Sequence, residues 1–187
     1  LGIEARGTYL DFARSFTSSF LDQVDGHANG AVRLIGPLDA INLTGQLIIN
    51  GNVHVTSTYC SYDMRNDTLK IVPNEILFAH CPIYDRNGRM GMLTGGIHHQ
   101  NLTNLTYDIY ADTENLLAYD FKDFGEDTFY GTVYANGHVG IHGRDDGVTI
   151  DIDVTPLEGS TFVYNVASPD IIASQEYIEW GTPQADS

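Results

Sequence analysis

Two hydrophobic periods divide the chain. From Tyr9 the apolar residues Tyr9, Ala13, Phe16, Phe20 and Val24 recur at steps of three and four, with Phe12 and Leu21 widening the stripe. That is the spacing of one face of an α-helix. Thr8 followed by Asp11 suits a capped start and Gly26 a stop, so a helix is predicted over residues 8–25. A membrane-surface helix would want Lys and Arg on its polar face, so the expected role is to cover one end of a sheet.

After Gly26 the period becomes two. Val148, Ile150, Ile152 and Val154 alternate with Thr149, Asp151, Asp153 and Thr155, which sets four β-branched aliphatics on one face of a strand and polar groups on the other. The same alternation runs through Leu43, Gly45, Leu47 and Ile49; Val53 and Val55; Leu105, Tyr107, Ile109 and Ala111; Val139 and Ile141; and Phe162, Tyr164 and Val166. Turn signals separate the runs at Gly36-Pro37, Asn50-Gly51-Asn52, Arg86-Asn87-Gly88, Asn136-Gly137, Asp145-Asp146-Gly147 and Glu158-Gly159. Short, regular spacing of this kind predicts an antiparallel meander.

A weak internal repeat refines the picture. Ala28-Asn29-Gly30-Ala31-Val32-Arg33-Leu34-Ile35-Gly36 reads onto Ala135-Asn136-Gly137-His138-Val139-Gly140-Ile141-His142-Gly143, and Leu43-Thr44-Gly45-Gln46-Leu47-Ile48-Ile49 onto Leu93-Thr94-Gly95-Gly96-Ile97-His98-His99. Each unit is a strand bounded by glycines that cannot bury its face alone, and stacked units would make an elongated sheet. At 187 residues the expectation is one domain over 1–187, with residues 26–166 as its β-repeat region.

Charge narrows the partners. Nine Lys and Arg against 25 Asp and Glu give a formal net charge of −16, the wrong sign for a nucleic-acid backbone and for anionic headgroups. Lipid contact, if any, should be with acyl chains. No run of about eighteen apolar residues and no charged-then-apolar leader is present. The abrupt Leu1-Gly2-Ile3 and the polar Gln184-Ala185-Asp186-Ser187 read as the ends of an excised or processed form. Cys60 and Cys81 lack a CxxC spacing and are expected to be free, structural thiols.

The glycine-strand-glycine succession also carries a family resemblance. Gly26-His27-Ala28-Asn29-Gly30, Gly36-Pro37-Leu38, Leu43-Thr44-Gly45-Gln46-Leu47, Asp85-Arg86-Asn87-Gly88, Leu93 to His99, Phe129 to Gly137 and Gly159-Ser160-Thr161-Phe162, in this order and spacing, resemble the C-terminal domain of the translocation and assembly module TamB, of the AsmA-like group, in its Bacteroidetes-type versions. The resemblance runs from about Gly26 to Val166. It implies an all-β fold: an elongated, curved, mainly antiparallel sheet forming a taco-like or open sandwich with an apolar groove, here joined by one short N-terminal helix. It further implies a periplasmic lipid-transfer or outer-membrane assembly factor, anchored through its intact parent in the inner membrane and partnered by an outer-membrane barrel of the Omp85 class.

The groove reading has its own physical sense. At about 0.8 kcal/mol per methylene, a sixteen-carbon tail costs on the order of 13 kcal/mol to hydrate, and a continuous apolar trough removes most of that barrier. The expected lining is Leu47, Ile49, Val53, Val55, Ile109, Val133, Ile141, Val148, Ile150, Ile152 and Val154, and the expected ligand a phospholipid or other acyl-chain lipid. The helix near Tyr9 to Val24 should cap or plug that face.

Catalysis has no positive signal. On one strand His138 and His142 share a face about 13 Å apart, too far to share an ion, and the neighbours His98 and His99 point to opposite faces. No cofactor and no metal site is expected. The competing reading is a secreted, closed β-sandwich that binds glycans, suggested by Asn-x-Thr sequons at Asn42, Asn66, Asn101 and Asn104 and by Tyr59, Tyr62, Tyr107, Tyr110, Tyr130 and Tyr134. Asn101 and Asn104 are expected to fill a single hairpin.

Overall fold

A computed structural model describes residues 2–37, 40–122, 129–144 and 146–164. The elements are β1 (Gly2–Tyr9), a 3-10 turn (Leu10–Ala13), α1 (Arg14–Thr17), β2 (Leu21–Ile35), β3 (Asn42–Val55), β4 (Cys60–Val72), β5 (Glu75–Tyr84), β6 (Met90–Gln100), β7 (Thr103–Phe121), β8 (Phe129–Arg144), β9 (Gly147–Pro156) and β10 (Thr161–Tyr164). The ten strands of the described residues belong to one antiparallel sheet in which each strand from β1 to β8 pairs with the next, and β10 returns to pair with β8 end to end with β9. The fold is therefore an open all-β sheet with one short helical segment, and its strands do not divide into the two packed sheets of a closed sandwich.

Cross-sheet bonds show how strongly the sheet curls. Neighbouring strands lie about 4.8 Å apart, so β4 and β7 would be roughly 14 Å apart in a flat sheet. Instead Tyr62 Oη on β4 donates to the Leu117 carbonyl on β7 at 2.7 Å, and the Asp120 N–H donates to the Thr58 carbonyl at 3.1 Å. Ser19, in the turn just before β2, reaches Tyr107 on β7, which stands five strands from β2 in sheet order. The inner face consequently meets itself, and its aliphatics form two adjoining clusters, one around Leu47, Ile49, Met64, Ile83 and Leu116, the other around Phe20, Ile97, Leu105, Tyr107 and Ile109.

The helix predicted over 8–25 is much shorter. Gly2–Tyr9 form strand β1, an exposed edge with little pattern of its own, and residues from Leu21 belong to β2. The stripe misleads because apolar residues of unlike elements line up in it: Tyr9 belongs to β1, Phe12 and Phe16 to the helical pieces, Phe20 to the turn after them, and Leu21 and Val24 to β2. Gly26 is not a helix stop. It pairs with Gly51 in mid-sheet.

Two predicted turns are also mid-strand. Asn50-Gly51-Asn52 lies inside β3 and Asn136-Gly137 inside β8. Each asparagine braces a left-handed bulge residue on the neighbouring strand: the Asn66 N–H donates to Asn50 Oδ1 at 3.0 Å, and the Asn115 N–H to Asn136 Oδ1 at 2.6 Å. Asn29-Gly30 does the same for Gly7 of β1 at 2.7 Å. An N–H turned out of the ladder by a bulge needs another acceptor, and the carboxamide supplies it. This device is what the repeat Ala28-Asn29-Gly30 and Ala135-Asn136-Gly137 encodes. Both alanines are fully buried, and Gly137, at φ 145, could not carry a Cβ without overlapping the Asp153 carbonyl of β9.

The remaining turn signals fall between strands. Gly36-Pro37 follows β2, Arg86-Asn87-Gly88 joins β5 to β6, Glu158-Gly159 separates β9 from β10, and Asn101 with Leu102, both left-handed, turns β6 into β7. Asp145 and Val166 lie outside the described residues.

Candidate functional site: an apolar cavity inside the curled sheet

The inner face encloses a cavity of about 220 Å³ walled by β2 to β9 and closed on one side by the helical segment. Thr17, Thr58, Thr113 and the Tyr62 hydroxyl supply its polar atoms, the last already bonded to the Leu117 carbonyl. The rest of the wall is aliphatic or aromatic, and among the described residues no ionisable carboxylate, amine, guanidinium or imidazole lines it. The wall is buried or half-buried except at Phe12 on the helical segment, 45% exposed, and at Ile152, 58% exposed, so the cavity opens to solvent along the edge strand β9.

Of the expected lining, Leu47, Ile49, Val53, Val55, Ile109, Ile141, Ile150 and Ile152 stand on this wall. Val133 is buried away from it, Val148 packs onto the second cluster, and Val154 is half-buried in the cross-strand row of Gly137. Thr149, Asp151 and Asp153 face outward and are exposed.

The period-two reading missed the wall supplied by β4 and β5. Tyr62 and Met64 face inward, then Leu69 and Ile71; Ile76 and Phe78 do so, then Ile83. The phase slips by one residue in each strand, because left-handed Asn66 and His80 sit where the pairing register breaks. A bulge inserts one unpaired residue and flips the side chains beyond it, so no single alternation spans either strand. Left-handed Asn115 does the same in β7, bringing Leu116 onto the wall.

Groups with chemistry lie behind or outside the wall. Cys60 and Cys81 are free, and burial pushes each thiol up to about 11, which leaves them protonated and inert. Asp67 is buried beside the β4 bulge, accepts the Arg65 N–H at 2.9 Å, and is raised by desolvation. Buried Asp85 accepts the Asn87, Arg89 and Leu117 N–H groups and ties the β5–β6 turn to β7.

His99 is buried at the end of β6, accepts the Leu102 N–H on Nδ1 at 3.3 Å, and is held below the usual imidazole range by desolvation and by neighbouring His98. His98 itself faces outward against Glu75 at 3.1 Å. His138 pairs with Asp112 and His142 with Asp108, in both cases across β7 and β8 on the outer face. Among the described residues no three His, Cys, Asp or Glu side chains converge as metal ligands.

The tyrosines considered for glycan stacking are dispersed. Tyr62 and Tyr107 are buried in the core, Tyr110 packs on His142, Arg89 covers Tyr134, and Tyr130 is half-buried on β8. Tyr59 joins Tyr119, Phe121, Phe129, Phe162 and Tyr164 in a run of ring contacts at one rim.

Fold and site together define a curled single-sheet protein with an apolar interior and an acidic, polar exterior. No protein-family model, no curated protein and no solved structure matches the chain.

Proposed function

We propose that this chain shields acyl chains: it is a lipid-binding segment of an envelope lipid-transfer or outer-membrane assembly factor, acting in the periplasm. A longer parent would be anchored in the inner membrane and would meet an Omp85-class barrel. The observation that carries the reading is the wall of the cavity, which among the described residues offers no charge and almost no hydrogen-bonding atom to a ligand while opening to solvent along β9. Such a wall favours a methylene chain at about 0.8 kcal/mol per group and, apart from the Thr58 hydroxyl, has no unpaired polar group to fix it in one position. A catalytic pocket or a sugar site would need converging polar groups. The outward row of Asp108, Asp112, Asp151 and Asp153 keeps the exterior wetted and repels anionic headgroups, so the ligand would engage by its tail.

The test is site-specific photo-crosslinking in cells that make the full-length protein. A benzophenone side chain at Ile150, on the wall, should yield lipid adducts, and one at Asp151, its outward neighbour, should not. Equal yields at the two positions, or none at Ile150, would defeat the proposal.

A further inference from the structure

The segment between β1 and β2 takes up part of the cavity as a ligand would. Leu10, Phe12, Ala13, Phe16 and Thr17 line it, with Phe20 immediately after them, so the strap from Leu10 to Ser19 supplies a share of a wall that the sheet otherwise builds alone. With the strap in place, the remaining space of about 220 Å³ falls below the roughly 300–1,000 Å³ of clefts that bury a drug-sized ligand.

Its seat is shaped for it. Leu10 is buried over Gly51, where a Cβ would come within 2.8 Å of Leu10 Cδ1. Phe20 packs edge-on against Tyr107 with ring centroids 5.2 Å apart.

Its attachment, by contrast, is slight. The strap is tied to the sheet at its two ends, where β1 and β2 leave it, with the Phe20 carbonyl held by the Thr56 N–H at 3.2 Å. Between those ends its other hydrogen bonds are internal, among them Arg14 N–H to the Asp11 carbonyl, Ser18 N–H to the Arg14 carbonyl, Thr17 Oγ1 to the Ala13 carbonyl and Phe20 N–H to the Thr17 carbonyl. Among the described residues one bond joins its body to the rest of the protein, Ser19 Oγ to Tyr107 Oη at 3.2 Å. Neither helical piece has a side-chain cap, and each is four residues long, well short of a helix that holds itself together in water.

We propose that the strap is a displaceable self-ligand: its apolar side chains fill the cavity in the empty state, and an entering acyl chain replaces them by breaking the Ser19–Tyr107 latch and swinging the strap outward on its two anchored ends. The inference rests on the acyl-chain reading above and adds its regulation. Binding and strap closure then compete for one set of contacts, so weakening the latch tightens binding although it removes a native interaction.

The probe is cis-parinaric acid, a fluorescent fatty acid, titrated into the wild-type chain and into Ser19→Ala and Tyr107→Phe, with amide hydrogen exchange followed in each. A neutral hydrogen bond is worth about a two- to tenfold change in an equilibrium. Both variants should therefore bind about two- to tenfold more tightly, and the double variant no more tightly than either single one. In the wild type, bound fatty acid should speed exchange at residues 10–19 and leave β3 and β7 protected. Binding with equal affinity in all forms, or slower exchange in the strap on binding, would overturn the self-ligand and leave a fixed wall with the acyl-chain reading intact. Failure of the fatty acid to bind any form would overturn both.

Discussion

Ile152→Asp and Ile109→Asp place the same charge on the same inner face at two depths. Ile152 is 58% exposed on the edge strand, so less than half of its burial energy is at stake, about 1 kcal/mol from the roughly 1.5–3 kcal/mol of a fully buried side chain. The new carboxylate there reaches water at the cavity mouth. Ile109 is 4% exposed, so the substitution forfeits nearly the whole hydrophobic term and adds several kcal/mol for a carboxyl without a partner. Against a total of about 5–15 kcal/mol for a domain, that is enough to abolish cooperative folding. For a chain of this size each kcal/mol moves the midpoint by about 2–4 °C, so Ile152→Asp should melt about 2–4 °C below wild type, and Ile109→Asp should show no native transition. Circular dichroism melts with urea titrations measure both. Loss of folding in Ile152→Asp would refute the reasoning, because it would mean that β9 closes the cavity and the mouth does not exist.

Other outcomes follow from the same geometry. Asn136→Ala leaves the Asn115 N–H without its acceptor and should cost about 0.5–1.5 kcal/mol in urea unfolding, while Asn136→Asp, which keeps the oxygen, should cost less. His99 binds its proton less readily folded than unfolded, so its contribution is full above the unfolded value near 6.5 and is lost as pH falls from there through the lowered folded value. Melts at pH 7.5, 6 and 5 should show this loss, and His99→Gln should flatten it. Cys60 and Cys81, each 1% exposed with thiols near 11, should resist iodoacetamide in buffer and react fully in urea. Labelling of either in the native state would contradict their burial.

What the sequence made legible and what it hid have one physical origin. Where a strand keeps its register, as β9 does from Val148 to Val154, alternation alone gives the inward face. Where a bulge intervenes, as at Asn66, His80 and Asn115, the phase slips, and the inward residues Met64, Leu69, Ile76 and Leu116 belong to no single period. The bulges are also why Asn50-Gly51 and Asn136-Gly137 mimic hairpin turns. Asparagine followed by glycine serves a left-handed turn, but it equally serves a strand in which the carboxamide braces a neighbour's bulge and the glycine lets the chain curl. Asn87-Gly88, whose Asn87 N–H is instead held by Asp85 of its own turn, is the case that does form a hairpin. The strap shows in the sequence as a stripe of large apolar residues, but the stripe runs on into Leu21 and Val24, which belong to β2, so it predicts too long a helix.

Methyl NMR of the isoleucine side chains during titration with a sixteen-carbon fatty acid tests the central claim most directly, because isoleucines sit on both faces of the sheet. Ile49, Ile109, Ile141 and Ile150 line the cavity, while Ile48 stands on the outer face of β3 with 44% of its surface exposed. The account predicts saturable shifts in the cavity methyls and none in Ile48. Shifts confined to Ile48, or equal shifts on both faces, would contradict it.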